Sequence, residues 1–180
     1  TNTVSIKDIS SYVPNLYIPD YGTKLISAIY IRGIGSRINS PAVGLYVDDV
    51  PYIDKSSFDF DFNDISKVEV FRGPQGTLFG RNTMAGLINL YTVSPFQEEG
   101  LKVKLGVANY DTYNAAFNFR KKISDKFALS LSANYNTRDG YYTNEFTGKS
   151  CGDEEVAGAN LKLQFRPTSS LDIKLSSIYE

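Results

Sequence analysis

Val68-Glu69-Val70-Phe71-Arg72-Gly73-Pro74-Gln75-Gly76-Thr77-Leu78-Phe79-Gly80-Arg81-Asn82-Thr83-Met84-Ala85-Gly86-Leu87-Ile88-Asn89-Leu90 sets a short apolar run on either side of a glycine-punctuated turn. Val68 to Phe71 and Leu87 to Tyr91 read as strands, and Gly73, Gly76, Gly80 and Gly86 allow the connection tight turns and close backbone approach. The spacing is not that of a phosphate cradle, which needs Gly, four residues and then Gly-Lys-Ser/Thr. Outward from this stretch, Ile29-Tyr30-Ile31 and Val43 to Val47 supply further short runs. Ser5 to Tyr12 suits a short amphipathic helix, with Ile6, Ile9 and Val13 on one face and Ser5 as its cap. The first half therefore predicts a small mixed α/β domain.

The pattern breaks at Ser94-Pro95-Phe96-Gln97-Glu98-Glu99-Gly100, which predicts a domain boundary. Beyond it a period of two takes over. Leu101, Val103, Leu105 and Val107 alternate with Lys102, Lys104 and Gly106, and the signal returns at Tyr113 to Phe119, Phe127 to Tyr135, Leu161 to Phe165 and Leu171 to Tyr179. Brief turns at Lys122 to Lys126 and Pro167 to Ser170 contrast with a long polar excursion from Arg138 to Glu155. Strands of ~9 to 11 residues, with short links on one side and long ones on the other, suit an outer-membrane barrel whose polar face, with Asn114, Asn118, Ser130, Ser132 and Asn134, lines a wet lumen. A soluble sandwich alternates in the same way, so this half alone leaves both open.

Charge and composition narrow the function. Nineteen Lys and Arg against 20 Asp and Glu give no field for nucleic acid. With no histidine and one cysteine, Cys151, the chain lacks the means for an intrachain disulfide, a thiolate zinc site or a Ser-His-Asp triad. Asp59, Asp61 and Asn63 start a calcium-loop pattern, but Asp64 stands where the turn glycine belongs and Val70 where the closing glutamate belongs. Gly33-Ile34-Gly35 starts a dinucleotide fingerprint that fails at Ile38. Strand neighbours point to opposite faces, which disfavours Asp48 and Asp49 as a catalytic pair, and the pair reads better as turn capping after the strand. Glu69, Arg72 and Arg81 sit beside apolar strand residues, where an unpaired charge is costly.

Ile31-Arg32-Gly33-Ile34-Gly35, then Val43-Gly44-Leu45-Tyr46-Val47-Asp48-Asp49-Val50-Pro51-Tyr52, then the Val68 to Leu90 stretch resemble, in order and spacing, the plug of TonB-dependent outer-membrane receptors. The resemblance covers Val4 to Val93, and that family places its barrel where the alternating strands follow. It implies an α+β plug domain over residues 1–95, a small mixed sheet with short helices, and the first antiparallel strands of a truncated transmembrane β-barrel over residues 96–180.

By resemblance, such a receptor is no enzyme. It binds a scarce nutrient of the siderophore, cobalamin or glycan class outside and imports it when TonB pulls on a segment that would precede this stretch. TonB, the nutrient, membrane lipid and a possible surface lipoprotein are the implied partners, with no cofactor and no metal. Asp20, Tyr21, Tyr52, Asp54, Lys55, Phe58 and Asp59, on apical loops, are the implied ligand contacts, with ordinary loop solvation as the alternative. Arg32, Glu69, Arg72 and Arg81 are the implied plug–barrel contacts. A soluble β-rich adhesion module and a carboxylate-based glycan enzyme are the competing classes.

Overall fold

In the computed structural model, which describes residues 6–19, 28–36, 40–53, 64–140, 142–148 and 150–179, the chain divides between Thr92 and Val93 into two units. The N-terminal unit begins with helix α1 (Ile6–Ile9), whose Ile6 and Ile9 are buried. Strands β1 (Leu16–Tyr17), β2 (Tyr30–Ile31) and β3 (Ile34–Gly35) form a small antiparallel sheet. The link between β2 and β3 is the two-residue turn Arg32-Gly33, with φ of +53° and +79°, a geometry that matches the twist of the flanking strands.

Strands β4 (Val43–Val47), β5 (Val50–Tyr52), β6 (Ile65–Arg72) and β7 (Gly86–Thr92) build a second sheet in the order β5-β4-β7-β6, parallel only between β4 and β7. One face carries Val43, Leu45, Val47, Ile88 and Leu90, which pack with Ile6, Ile9, Leu16, Ile18, Ile29 and Ile31 into the core of this unit. Each such side chain contributes about 1.5–3 kcal/mol on burial. The β6–β7 connection holds helix α2 (Gly76–Phe79), closed by Gly80 at φ +72°, where its N–H meets the Gly76 carbonyl. At Gly86 any Cβ would collide with the Phe71 carbonyl and the Ile31 side chain, so the second strand of the opening stretch has to begin on glycine.

Asp48 and Asp49 form the turn expected after the strand. They lie outside the strands, as the two turn residues between Val47 and Val50, at φ +50° and +68°. The expected mixed domain is poorer in helix than predicted: its described helices are two of four residues each.

The C-terminal unit is built on a five-stranded antiparallel sheet in the order β14-β13-β10-β9-β8. Its strands are β8 (Gly100–Ala108), β9 (Thr112–Lys122), β10 (Phe127–Arg138), β13 (Glu154–Thr168) and β14 (Leu171–Tyr179). The five alternating segments are thus all present, in an open sheet and not a closed barrel. Inside the long excursion lies a hairpin the sequence did not announce, β11 (Tyr142–Thr143) and β12 (Ser150–Cys151). The amides of Phe146 and Thr147 donate to the Asn144 side chain at its turn.

Candidate functional site

Two polar constellations stand on the two sheets. In the N-terminal unit, the face of β6 and β7 opposite the core begins with the register pairs Lys67–Tyr91 and Glu69–Asn89. Asn89 is fully buried, and its Nδ2 donates to Asp49 Oδ1 at 3.1 Å and to the Tyr91 hydroxyl at 2.7 Å. The Asp49 and Glu69 carboxylates both lie beside the phenol, as alternative acceptors for its one proton. Lys67 ion-pairs with Glu69 and stands 5.6 Å from the centre of the Tyr91 ring. Burial first, and then the two carboxylates, push the Tyr91 phenol up to about 12, because its anion would sit desolvated beside negative charge.

The Asp48-Asp49 turn ties this network to the end of β7. Asp48 Oδ1 accepts the Thr92 amide at 3.0 Å and its Oδ2 accepts the Thr92 hydroxyl at 2.7 Å, while the Asp48 amide donates to the Leu90 carbonyl at 2.8 Å. Further along the same face, Tyr46 donates to the Phe79 carbonyl at 2.6 Å and meets the Phe79 ring edge-on at 5.2 Å, so α2 is fixed over the sheet.

In the C-terminal unit the register aligns Arg120, Ser130 and Lys162 across β9, β10 and β13, with Asn118, Ser132 and Asn160 in the next row. Arg120, Asn118, Ser130, Lys162 and Gln164 are buried. Arg120 Nη2 meets Glu98 Oε2 at 2.9 Å, and Gln164 Nε2 donates to Asp172. The opposite face is a continuous apolar row of paired residues, Leu101–Phe119–Leu131–Leu161 and Val103–Phe117–Ala133–Ala159, and most of its large side chains are exposed.

Of the residues singled out from sequence, Asp20, Tyr21, Asp54, Lys55, Phe58 and Asp59 lie outside the described residues. Tyr52 is half-buried and packs against the core. Arg32 is exposed on the β2–β3 turn, its amide donating to the Asn15 carbonyl at 2.9 Å. Arg72, also exposed, reaches the Pro14 carbonyl at 3.4 Å, and Arg81 is exposed on the β6–β7 connection. Glu69 is joined to Lys67 and Tyr91. Asn89, Tyr91 and Lys67 were not singled out; the signal available was their alternation with Ile88, Leu90 and Val68, which puts them together on the face away from the core. Among the described residues no group of three or more His, Cys, Asp or Glu side chains is placed to hold a metal ion.

Comparison with known proteins gives consistent matches. A family described as "TonB-dependent Receptor Plug Domain" matches residues 1–87. The pesticin receptor of Yersinia enterocolitica is 34% identical over 159 residues, which cover 86% of this chain and 24% of the receptor. The vitamin B12 transporter BtuB of Vibrio vulnificus is 29% identical over 152 residues, 78% of this chain and 23% of the transporter. The crystal structure of the ferric yersiniabactin uptake receptor FyuA from Yersinia pestis superposes with a TM-score of 0.86 at 29% identity, over 98% of this chain and 29% of that one. The pyoverdine receptor FpvA of Pseudomonas aeruginosa, at 18% identity, a TM-score of 0.74, 98% of this chain and 25% of that one, shares the fold. The chain spans about a quarter of the length of the curated relatives it matches.

Proposed function

Since the chain belongs to the TonB-dependent receptors of the outer membrane, we propose that it forms the plug and first five barrel strands of a receptor that takes up a ferric siderophore. The observation that carries this reading is the likeness to the ferric yersiniabactin uptake receptor, which extends over both units and not the plug alone. The arrangement of the second sheet supports it: a row of exposed apolar side chains suits lipid, and a polar opposite face suits a hydrated lumen. Import is then mechanical. TonB pulls on a segment N-terminal to the plug, and a small domain held by polar contacts rearranges under force while the barrel persists. No bond of the nutrient is made or broken, in keeping with relatives that are transport receptors.

In this reading Asp20, Tyr21, Tyr52, Asp54, Lys55, Phe58 and Asp59 contact the ligand, the aromatics supplying flat apolar surface and the charged groups orientation. Arg32, Glu69, Arg72 and Arg81 serve the plug–barrel interface. A cobalamin is the second reading, favoured by the match to BtuB.

The test is uptake by the full-length receptor, expressed in a Gram-negative host stripped of its own siderophore and cobalamin receptors. Radiolabelled iron as ferric yersiniabactin and radiolabelled cyanocobalamin are the two probes. Accumulation of the iron complex that vanishes in a host lacking TonB supports the proposal. Accumulation of cobalamin alone replaces it with the second reading, and uptake of the iron complex that persists without TonB refutes the energy coupling.

A further inference from the structure

Residues 94–99, which follow β7 and precede β8, are fastened to the polar face of the C-terminal sheet at several points. The Gln97 and Glu98 amides close on the Ser94 carbonyl at 3.0 and 3.2 Å, so the segment forms one tight turn, with Pro95 buried. Ser94 Oγ sits at 3.0 Å from Gln164 Oε1 as donor and accepts the Phe96 amide at 3.3 Å. The Phe96 ring lies under the Arg166 guanidinium, 4.4 Å from its centroid, and Arg166 is itself held by Asp172 at 3.1 Å. Glu98 forks, with Oε1 at 3.1 Å from Lys102 and Oε2 at 2.9 Å from Arg120, and Glu99 adds Lys121 at 3.6 Å.

These contacts reach β8, β9 and β13 from six consecutive residues. The Glu98–Arg120 pair differs from an ordinary surface ion pair because Arg120 is 1% exposed. Surface pairs contribute little, whereas uncoupling a buried cation from its carboxylate is strongly unfavourable. The Lys102 hydrogen bond, and then the Arg120 charge, hold the Glu98 carboxyl below its usual range, so it is fully ionised at neutral pH.

We infer that residues 94–99 are a strap, with Glu98 and Arg120 as its positioning pair, that stays fastened to the barrel strands while the N-terminal unit is pulled. The inference rests on the proposed transport function. A pull transmitted through Thr92 loads Ser94 first and must peel the attachments in series, so deformation is confined to the chain before the strap.

The experiment is force spectroscopy on the full-length receptor in a lipid bilayer, pulled from its N-terminus, which needs no nutrient. The wild-type trace should show the plug extending and then a separate last event of about 20 Å, six residues at about 3.5 Å each, at higher force than those before it. Glu98→Gln should lower the force of that event at least two-fold, and Glu98→Asp should restore part of it. Absence of the separate event in the wild type, or a Glu98→Gln trace identical to it, overturns the strap. In cells, Glu98→Gln should cut import several-fold with surface binding of ferric yersiniabactin unchanged; import and binding falling together overturns the positioning role. A wild-type receptor that imports neither probe refutes the transport reading while its force trace still decides the strap.

Discussion

The four-stranded sheet of the N-terminal unit and the five-stranded sheet of the C-terminal unit turn their apolar side chains opposite ways to their surroundings. In the first, Val43, Leu45, Val47, Ile88 and Leu90 are buried against the unit's own helix and small sheet. In the second, Leu105 is 81% and Val107 78% exposed, while Asn118, Arg120 and Gln164 are buried. Period two in a sequence states that a strand has two faces and is silent on which one meets water. A sheet that hides its amides and guanidinium and displays its leucines has its stable environment in hydrocarbon.

That contrast is broken most directly by core truncation. Leu45→Ala, in the buried sheet, should cost about 2–5 kcal/mol, read in the full-length receptor as faster hydrogen exchange of the β4 and β7 amides. The apolar face of β8 calls for a different probe, because in the proposed barrel it faces lipid. Leu105→Arg should cost about 2–4 kcal/mol near the bilayer midplane, seen as a lower unfolding midpoint in bilayers. Its control is Asn114→Arg on the opposite face, which should cost markedly less. Equal losses for the two arginines would mean that the sheet has no lipid side.

The five long strands of the second sheet were legible because each is a period-two run. Family membership was legible in the Val68 to Leu90 stretch, whose Gly86 and Gly80 answer to a steric collision and a helix cap. What escaped was which polar groups pair. Glu69 reads as a charge in need of a partner, and the structure gives it Lys67, two residues away on the same face, and Tyr91 from the next strand. The turn at Asp48 and Asp49 was legible, but not that both adopt the left-handed conformation, which aspartate tolerates. The β11–β12 hairpin escaped because its strands are two residues each, too short for alternation to register.

The polar faces differ as well, and Asn89 tests how. Its Nδ2 is shared between Asp49 and Tyr91 in a buried setting, so Asn89→Ala should cost about 1–3 kcal/mol by leaving their oxygens without that donor. Asn114→Ala, on the polar face of the second sheet, should stay within about 0.5 kcal/mol. Hydrogen exchange along β7 and β9 of the full-length receptor reads the two side by side, and a cost at Asn114 matching that at Asn89 would show that the two polar faces are equally dry.

The smallest effect expected is a slope and not a step. The Tyr91 phenol is raised from 10.0 to about 12, so between those values the folded plug keeps a proton that the unfolded chain releases. Stability attributable to Tyr91 is therefore complete below pH 10 and lost as the pH rises toward 12. Tyr91→Phe removes that proton and should flatten this part of the pH dependence, measured as the difference between wild type and variant in protection of the β7 amides. The other groups that titrate in the same range cancel in that difference. Identical slopes would mean that water reaches the phenol as readily as it does in the unfolded chain, and the face of β6 and β7 would then be a wet surface like the lumen side of the barrel strands and not a closed network.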